Sequence, residues 1–196
     1  MVSPVKLVYF SLLWIIALYF VNSLFAQKLK RIDARQAAAY ISSVMLLGVF
    51  GEVLMDSFYA LLFGRPLWVY HLLPIHYAYT SYYSLFIWGM YGFHLYLLHD
   101  TLHGRIERTL PLAWLICAEA LLLEIVFNAT SLLVFGQYIF YYLPQDLWHL
   151  TSIQVIPVYL LAGVLVVRLV RSVRTDTWFF SAVHATLLFI FVFLST

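Results

Sequence analysis

Two pairs of polar side chains stand where so apolar a chain should have none. Glu52 and Asp56 are four residues apart, and Glu124 and Asn128 repeat that interval in another apolar run. On a helix, positions i and i+4 share one face about 6 Å apart along the axis. No Lys or Arg lies in either run. An acidic group at the bilayer centre costs roughly 2.5–3.5 kcal/mol even on lenient insertion scales. Such groups must be protonated, hydrogen-bonded or beside a wet cavity. A carboxylic acid that keeps its proton in apolar surroundings can give it to a substrate, and a second carboxylate can take one back. Glu52, Asp56, Glu124 and Asn128 are therefore the expected catalytic set. The competing account is structural, with buried acids hydrogen-bonding between helices. Glu119 lies well round the helix from Glu124 and is expected to be of that structural kind.

Histidine and aromatic residues supply the next signal. Seven histidines are present, and His71, His76 and His149 fall in or beside two segments rich in aromatics and proline. Tyr59 continues the Glu52 stripe, while Trp68, Tyr77 and Asp146 belong to the same segments. These seven residues are the expected substrate contacts. The bland reading of the two segments is an aromatic belt at the membrane interface, and the sharper one is a pair of packed loops over a cavity. Asp146 and His149, three apart, could be half a metal site or an N-cap beside an interfacial histidine, and the cap is favoured. No ligand set is complete, so no metal or cofactor is expected.

The segment His99-Asp100-Thr101-Leu102-His103-Gly104 resembles the first histidine box of membrane di-iron oxygenases such as carotenoid ketolases and lipid desaturases. Those families also use HxxHH boxes, and this chain has none. The segment is therefore expected to be an interfacial loop near Arg105. No P-loop, GxGxxG, HExxH or GxSxG pattern occurs, and no span has an interior Lys for a Schiff base.

The elements that must position these groups follow from composition. Of 196 residues, 64% are hydrophobic and 10% charged, against about a quarter charged in soluble domains. With a mean hydropathy of +0.92, the solvent for most of this surface is lipid. The apolar runs are too long for barrel strands, so the fold class is an all-α integral membrane helical bundle, one transmembrane domain over residues 1–196. Six spans are expected: Leu7–Phe25, Ala37–Phe63, Ala78–Leu98, Leu110–Phe135, Leu147–Val167 and Trp178–Leu194. The first reads as a retained helix rather than a cleaved leader. The lone Cys117 lies mid-span, so no disulfide framework is expected.

Lys28, Lys30, Arg31 and Arg35 fill the first connection, Arg105 and Arg108 the third, and Arg168, Arg171 and Arg174 the fifth. The second has only Arg65 and the fourth no basic residue. Odd-numbered loops are therefore expected to be cytoplasmic. A net charge of +2 with basic residues at span ends is topology signal, not a nucleic-acid surface.

Shifted by 72 positions, the chain matches itself at scarce residues: Glu52 on Glu124, Asp56 on Asn128, Phe63-Gly64 on Phe135-Gly136 and Tyr70 on Tyr142. With one inserted residue, His76 falls on His149. The shift spans two helices, so spans two and three would repeat as spans four and five in the same orientation, a parallel repeat.

Three functions fit this pattern. The first is a membrane-embedded enzyme acting on a lipophilic, isoprenoid- or lipid-like molecule by carboxyl acid–base chemistry, as an isomerase or cyclase. Aromatics make up 19% of the chain, and their faces can stabilise a developing cation. In architecture the chain resembles the small integral-membrane terpene and lycopene cyclases. The second is a small proton- or ion-coupled transporter, or the substrate-binding subunit of one. The third is a non-catalytic assembly partner.

Overall fold

The computed structural model describes residues 2–103, 108–172 and 177–194. The loop charges at Arg105, Arg171 and Arg174, and the side chains of His99–Gly104, lie outside what is described. The chain is mostly helical, with four very short strands among the described residues, at the helix connections.

Helix α1 (Pro4–Phe25) has proline in its first turn, where a missing N–H breaks no bond. Helix α2 (Ala34–Phe63) begins ahead of the expected Ala37 because Asp33 caps it, accepting from the N–H groups of Arg35 (2.9 Å) and Gln36 (3.4 Å). Helices α2 and α4 (Thr109–Phe135) both stop on a left-handed glycine, Gly64 at φ 71° and Gly136 at φ 69°. Only glycine enters that region without a Cβ penalty, and the chain turns sharply there. The bundle is completed by α3 (Ser84–His103), α5 (Ile156–Ser172) and α6 (Thr177–Leu194). Helices α1, α2 and α4 are long and apolar enough to cross a membrane, and the others are apolar over shorter stretches.

The third and fifth expected spans start too early. Helix does not begin at Ala78 or Leu147 but at Ser84 and Ile156. The intervening residues form short strands and tight turns instead. After Gly64 come strands β1 (Trp68–Tyr70), β2 (Pro74–Ile75) and β3 (Thr80–Ser81), and after Gly136 comes β4 (Phe140–Tyr142). Before β3, His76, Tyr77 and Ala78 are all left-handed, at φ 49°, 59° and 66°. Before the matching Thr151-Ser152, Leu147, Trp148 and His149 are left-handed too, at 50°, 53° and 61°. Each non-glycine residue in that region costs roughly 1–2 kcal/mol, so surrounding contacts must hold both triplets in place.

Strands β1 and β4 pair antiparallel, with Trp68 opposite Tyr142, Val69 opposite Tyr141 and Tyr70 opposite Phe140. Strands β2 and β3 form a second small ladder.

Helix α2 packs on α3 and α6, α4 on α5, and α1 on α3. Close approach of α2 and α3 depends on Gly92, where a Cβ would lie 2.8 Å from both Ile41 Cα and the Tyr40 carbonyl oxygen. Both obstacles are backbone and cannot swing aside. Gly92→Val should lower the stability of the detergent-solubilised protein by about 3 kcal/mol, read as thermal unfolding. Unchanged unfolding would mean that the two helices are not this close.

Candidate functional site

Glu52 and Glu124 line one cavity that is partly open to the surroundings. Its walls come from α1, α2, α3, α4, α5 and the β1–β4 ladder, and they are overwhelmingly apolar and aromatic. Trp14, Trp68, Trp88, Tyr91, Phe127 and Phe140 contribute rings. Both glutamates are buried, 7% and 9% exposed.

Each carboxyl is held by the same pair of residue types. The Tyr70 hydroxyl, 18 residues after Glu52, bonds its Oε1, and Thr80 Oγ1 bonds its Oε2. The Tyr142 hydroxyl, 18 residues after Glu124, donates to its Oε1 at 2.7 Å, and Thr151 Oγ1 donates to its Oε2. Tyr159 adds a further hydroxyl to Glu124 Oε1 at 2.8 Å. The ladder aligns the two tyrosines. Tyr70 and Tyr142 are diagonal neighbours on one face, about 7–8 Å apart, and the register is symmetric about the Val69–Tyr141 pair.

Counting hydrogens separates the two acids. A hydroxyl donates only one. Ser84 Oγ donates to the Ser81 carbonyl (2.7 Å), and Thr80 lies 2.6 Å from Ser84 and also against Glu52. Three links in this row share two hydroxyl hydrogens. All three are made at once when Glu52 Oε2 carries the third. Glu124 meets three hydroxyls and has no such shortage, so it is satisfied as a carboxylate. The two buried carboxyls thus differ in their hydrogen-bond surroundings, and both lie next to aromatic faces.

The other expected catalytic residues stand behind the cavity. Asp56 is fully buried, and its Oδ1 accepts from the backbone N–H of Leu67 (2.6 Å) and Trp68 (3.3 Å). Asn128 Nδ2 donates to the Leu150 carbonyl at 2.7 Å. Each fastens one loop to the helix that carries the glutamate. Asp56→Ala would strand two buried N–H groups and should cost about 2–4 kcal/mol, whereas Asp56→Asn, which keeps an acceptor, should cost much less. Chemical denaturation of both variants tests this, and equal losses would contradict the anchoring role.

The expected substrate contacts are scattered. Trp68 does line the cavity, with its indole N–H bonded to the Tyr79 carbonyl at 2.8 Å. Tyr59 instead bonds Gln154 and packs on Phe63. His71 is exposed, edge-on to Tyr141 at 4.8 Å. His76 stacks on Phe191 of α6 at 5.0 Å. Tyr77 is 93% exposed at the tip of its left-handed turn, and Trp148 occupies the same place on the other turn at 79%. The turns therefore match Tyr77 with Trp148 and Ala78 with His149, not His76 with His149. His149 donates from Nδ1 to the Tyr142 carbonyl at 2.6 Å, steadying the strand that carries that tyrosine. Asp146 caps a later turn than expected, accepting from the Ile153 N–H (2.9 Å) and Ser152 Oγ (3.0 Å). Among the described residues no group of three or more His, Cys, Asp or Glu is placed to hold a metal ion.

Sequence reasoning passed over Tyr70, Tyr142, Thr80, Thr151 and Tyr159 as site residues. The signal for four of them was present. Continuing the self-match past Tyr70 with one residue deleted, rather than inserted, puts Thr80-Ser81 on Thr151-Ser152. No protein-family model, curated protein or solved structure matches this chain.

Proposed function

We propose that the protein is a membrane-embedded enzyme that isomerises or cyclises a lipophilic, isoprenoid-like substrate by proton transfer from and to its two buried glutamates. The observation that carries this reading is the pairing of Glu52 and Glu124, each held by a tyrosine and a threonine hydroxyl, in a single aromatic-walled apolar cavity. Glu52 gives its proton to one carbon of a double bond. The positive charge forms on the neighbouring carbon, where the faces of Trp68, Phe127 and Phe140 are available to it, each such contact worth up to about 2 kcal/mol away from water. Glu124 then removes a proton from an adjacent carbon, directly for a shifted double bond or after ring closure for a cyclic product. One proton enters the substrate and one leaves; Glu124 then releases its proton to solvent through the open side of the cavity and Glu52 takes one up, which restores the starting pair. Asp56, Asn128 and His149 position the loops.

The bundle crosses the membrane six times in this reading, with its odd-numbered loops cytoplasmic. Spans two and three repeat as spans four and five about an axis through the Val69–Tyr141 pair. The 18-residue intervals, the two left-handed glycines and the two left-handed triplets support that repeat. The same symmetry favours a second reading, a small ion-coupled carrier whose equivalent acids are its ion sites.

Mass spectrometry of the organic extract from gently solubilised protein discriminates. A specific lipophile retained by the wild type, and lost or chemically altered in Glu52→Gln, supports the enzyme. Bulk phospholipid alone in both, together with pH-driven solute uptake by reconstituted vesicles, would replace it with the carrier.

A further inference from the structure

A second polar chain joins α1, α3 and α4, the last of which also carries Glu124. Asn22 of α1 donates from Nδ2 to His94 Nδ1 of α3 at 2.8 Å, and His94 Nε2 meets Glu119 Oε1 of α4 at 2.7 Å. Asn22 and His94 are 3% and 5% exposed. None of these groups touches the two glutamates of the cavity. Yet Leu18, Tyr91 and Ala120, which are respectively a turn, a turn and one residue away from them, all line its wall.

The hydrogen positions follow from the partners. Asn22 Nδ2 also donates to the Leu18 carbonyl at 2.7 Å, so both of its hydrogens are used. His94 Nδ1 must then present a lone pair, and Nε2 carries the hydrogen given to Glu119. Two buried oxygens remain without a partner, Asn22 Oδ1 and Glu119 Oε2. An unpaired buried acceptor is costly, and Asn22 Oδ1 belongs to the very amide that caps His94.

We propose that Asn22, His94 and Glu119 form a proton-binding switch inside the membrane. The incoming proton binds His94 Nδ1. Two donors would then face each other, so the Asn22 amide turns over, and its unpartnered Oδ1 accepts from the new N–H. The turn gives up the bond to the Leu18 carbonyl and leaves an imidazolium between an amide oxygen and the Glu119 carboxylate. The histidine–glutamate pair then carries no net charge, with the Glu119 side chain 24% exposed. Because Asn22 and Leu18 are on α1, the switch transmits proton uptake to the helix that closes the cavity with Trp14 and Leu18.

The groups around the pair can be named element by element. Helix α3 brings the Tyr91 ring, stacked on His94 at 6.0 Å, with its hydroxyl bonded to the Ile116 carbonyl. Helix α4 brings Cys117, two residues before Glu119 in sequence. Helix α1 brings Tyr19, whose hydroxyl donates to the Lys30 carbonyl. Lys30 Nζ donates to the Tyr96 carbonyl at 2.8 Å. Tyr40 of α2 packs on Tyr96, and Arg168 of α5 is exposed.

The test is 15N NMR of histidine-labelled protein in nanodiscs, with the His94 signals assigned by loss in His94→Gln. The wild type should show an Nε2–H, Nδ1-lone-pair imidazole at alkaline pH and convert to the doubly protonated ring on acidification, over the pH range in which circular dichroism shows the fold intact. Glu119→Gln, which removes the counter-charge, should need at least tenfold more acid for the same conversion. Asn22→Asp, which offers a fixed acceptor, should hold the ring doubly protonated to higher pH. A wild-type His94 that never changes form over that range would overturn the switch without any variant. An identical conversion in Glu119→Gln would overturn it as well.

Discussion

Under the proposed acid–base reaction, Glu52→Gln and Glu124→Gln should each lower conversion of the lipophilic substrate by about 10²–10⁴-fold, the usual contribution of a positioned acid or base. Their effects on stability should differ. An amide at position 52 keeps the donor and acceptor pattern of a protonated acid. Its N–H₂ can feed the Thr80–Ser84–Ser81 row, and its oxygen can still accept from Tyr70. Glu52→Gln should therefore unfold within about 1 kcal/mol of the wild type. At position 124 the amide meets three hydroxyls that all donate. Its oxygen can serve Tyr142 and Tyr159, but its N–H₂ confronts Thr151, which must turn away. Glu124→Gln should cost about 1–3 kcal/mol. The measurement is thermal unfolding and single-turnover conversion on the same preparations. Two inactive variants with the opposite order of stability would reverse the acid and base assignments. Full activity in either would remove that glutamate from the chemistry.

What the sequence revealed follows from how scarce its polar residues are. In a chain that is 64% hydrophobic, Glu52, Asp56, Glu124 and Asn128 had nowhere to hide. The matched glycines marked two real helix ends, because a left-handed cap leaves a residue-type signature. The segments after those glycines leave none. Left-handed turns usually announce themselves through Gly or Asn, but here the positions are His76, Tyr77, Ala78, Leu147, Trp148 and His149. Hydropathy merges such residues into the following helix, which is why two spans were expected to begin too early. The division of labour within each i, i+4 pair was also invisible. Spacing puts Glu52 and Asp56 on one face, but only the path of the chain after Gly64 decides that one meets the cavity and the other the backbone of Leu67. The surroundings of Glu119 were hidden for a related reason. Its facing away from Glu124 was legible, but His94 and Asn22 come from two different helices, and no periodicity within α4 points to them.

Gly51→Leu should abolish retention of the lipophile, lowering its affinity about 100-fold, while leaving the fold intact. Gly51 lies on α2 next to Glu52 and lines the cavity, and a Cβ built there meets nothing within 4 Å. The contrast with its neighbour is instructive. At Gly48, which also lines the cavity, a Cβ would lie 2.1 Å from the Trp88 ring, so a larger side chain there would shift that indole. At Gly51 the new side chain finds room, and replacing a helical glycine removes a penalty of about 1 kcal/mol. The variant should therefore unfold at or above the wild-type temperature. A hundredfold loss corresponds to about 2.7 kcal/mol, a reasonable cost for excluding a few carbons of an apolar chain from the cavity. This substitution leaves every hydrogen bond to Glu52 and Glu124 in place, so it separates occupancy from polar chemistry. Equilibrium binding of the extracted lipophile to wild type and variant reads the result. If Gly51→Leu binds as tightly as the wild type, the substrate does not enter this cavity. In that case the buried glutamates act as interhelical fastenings rather than as an acid and a base.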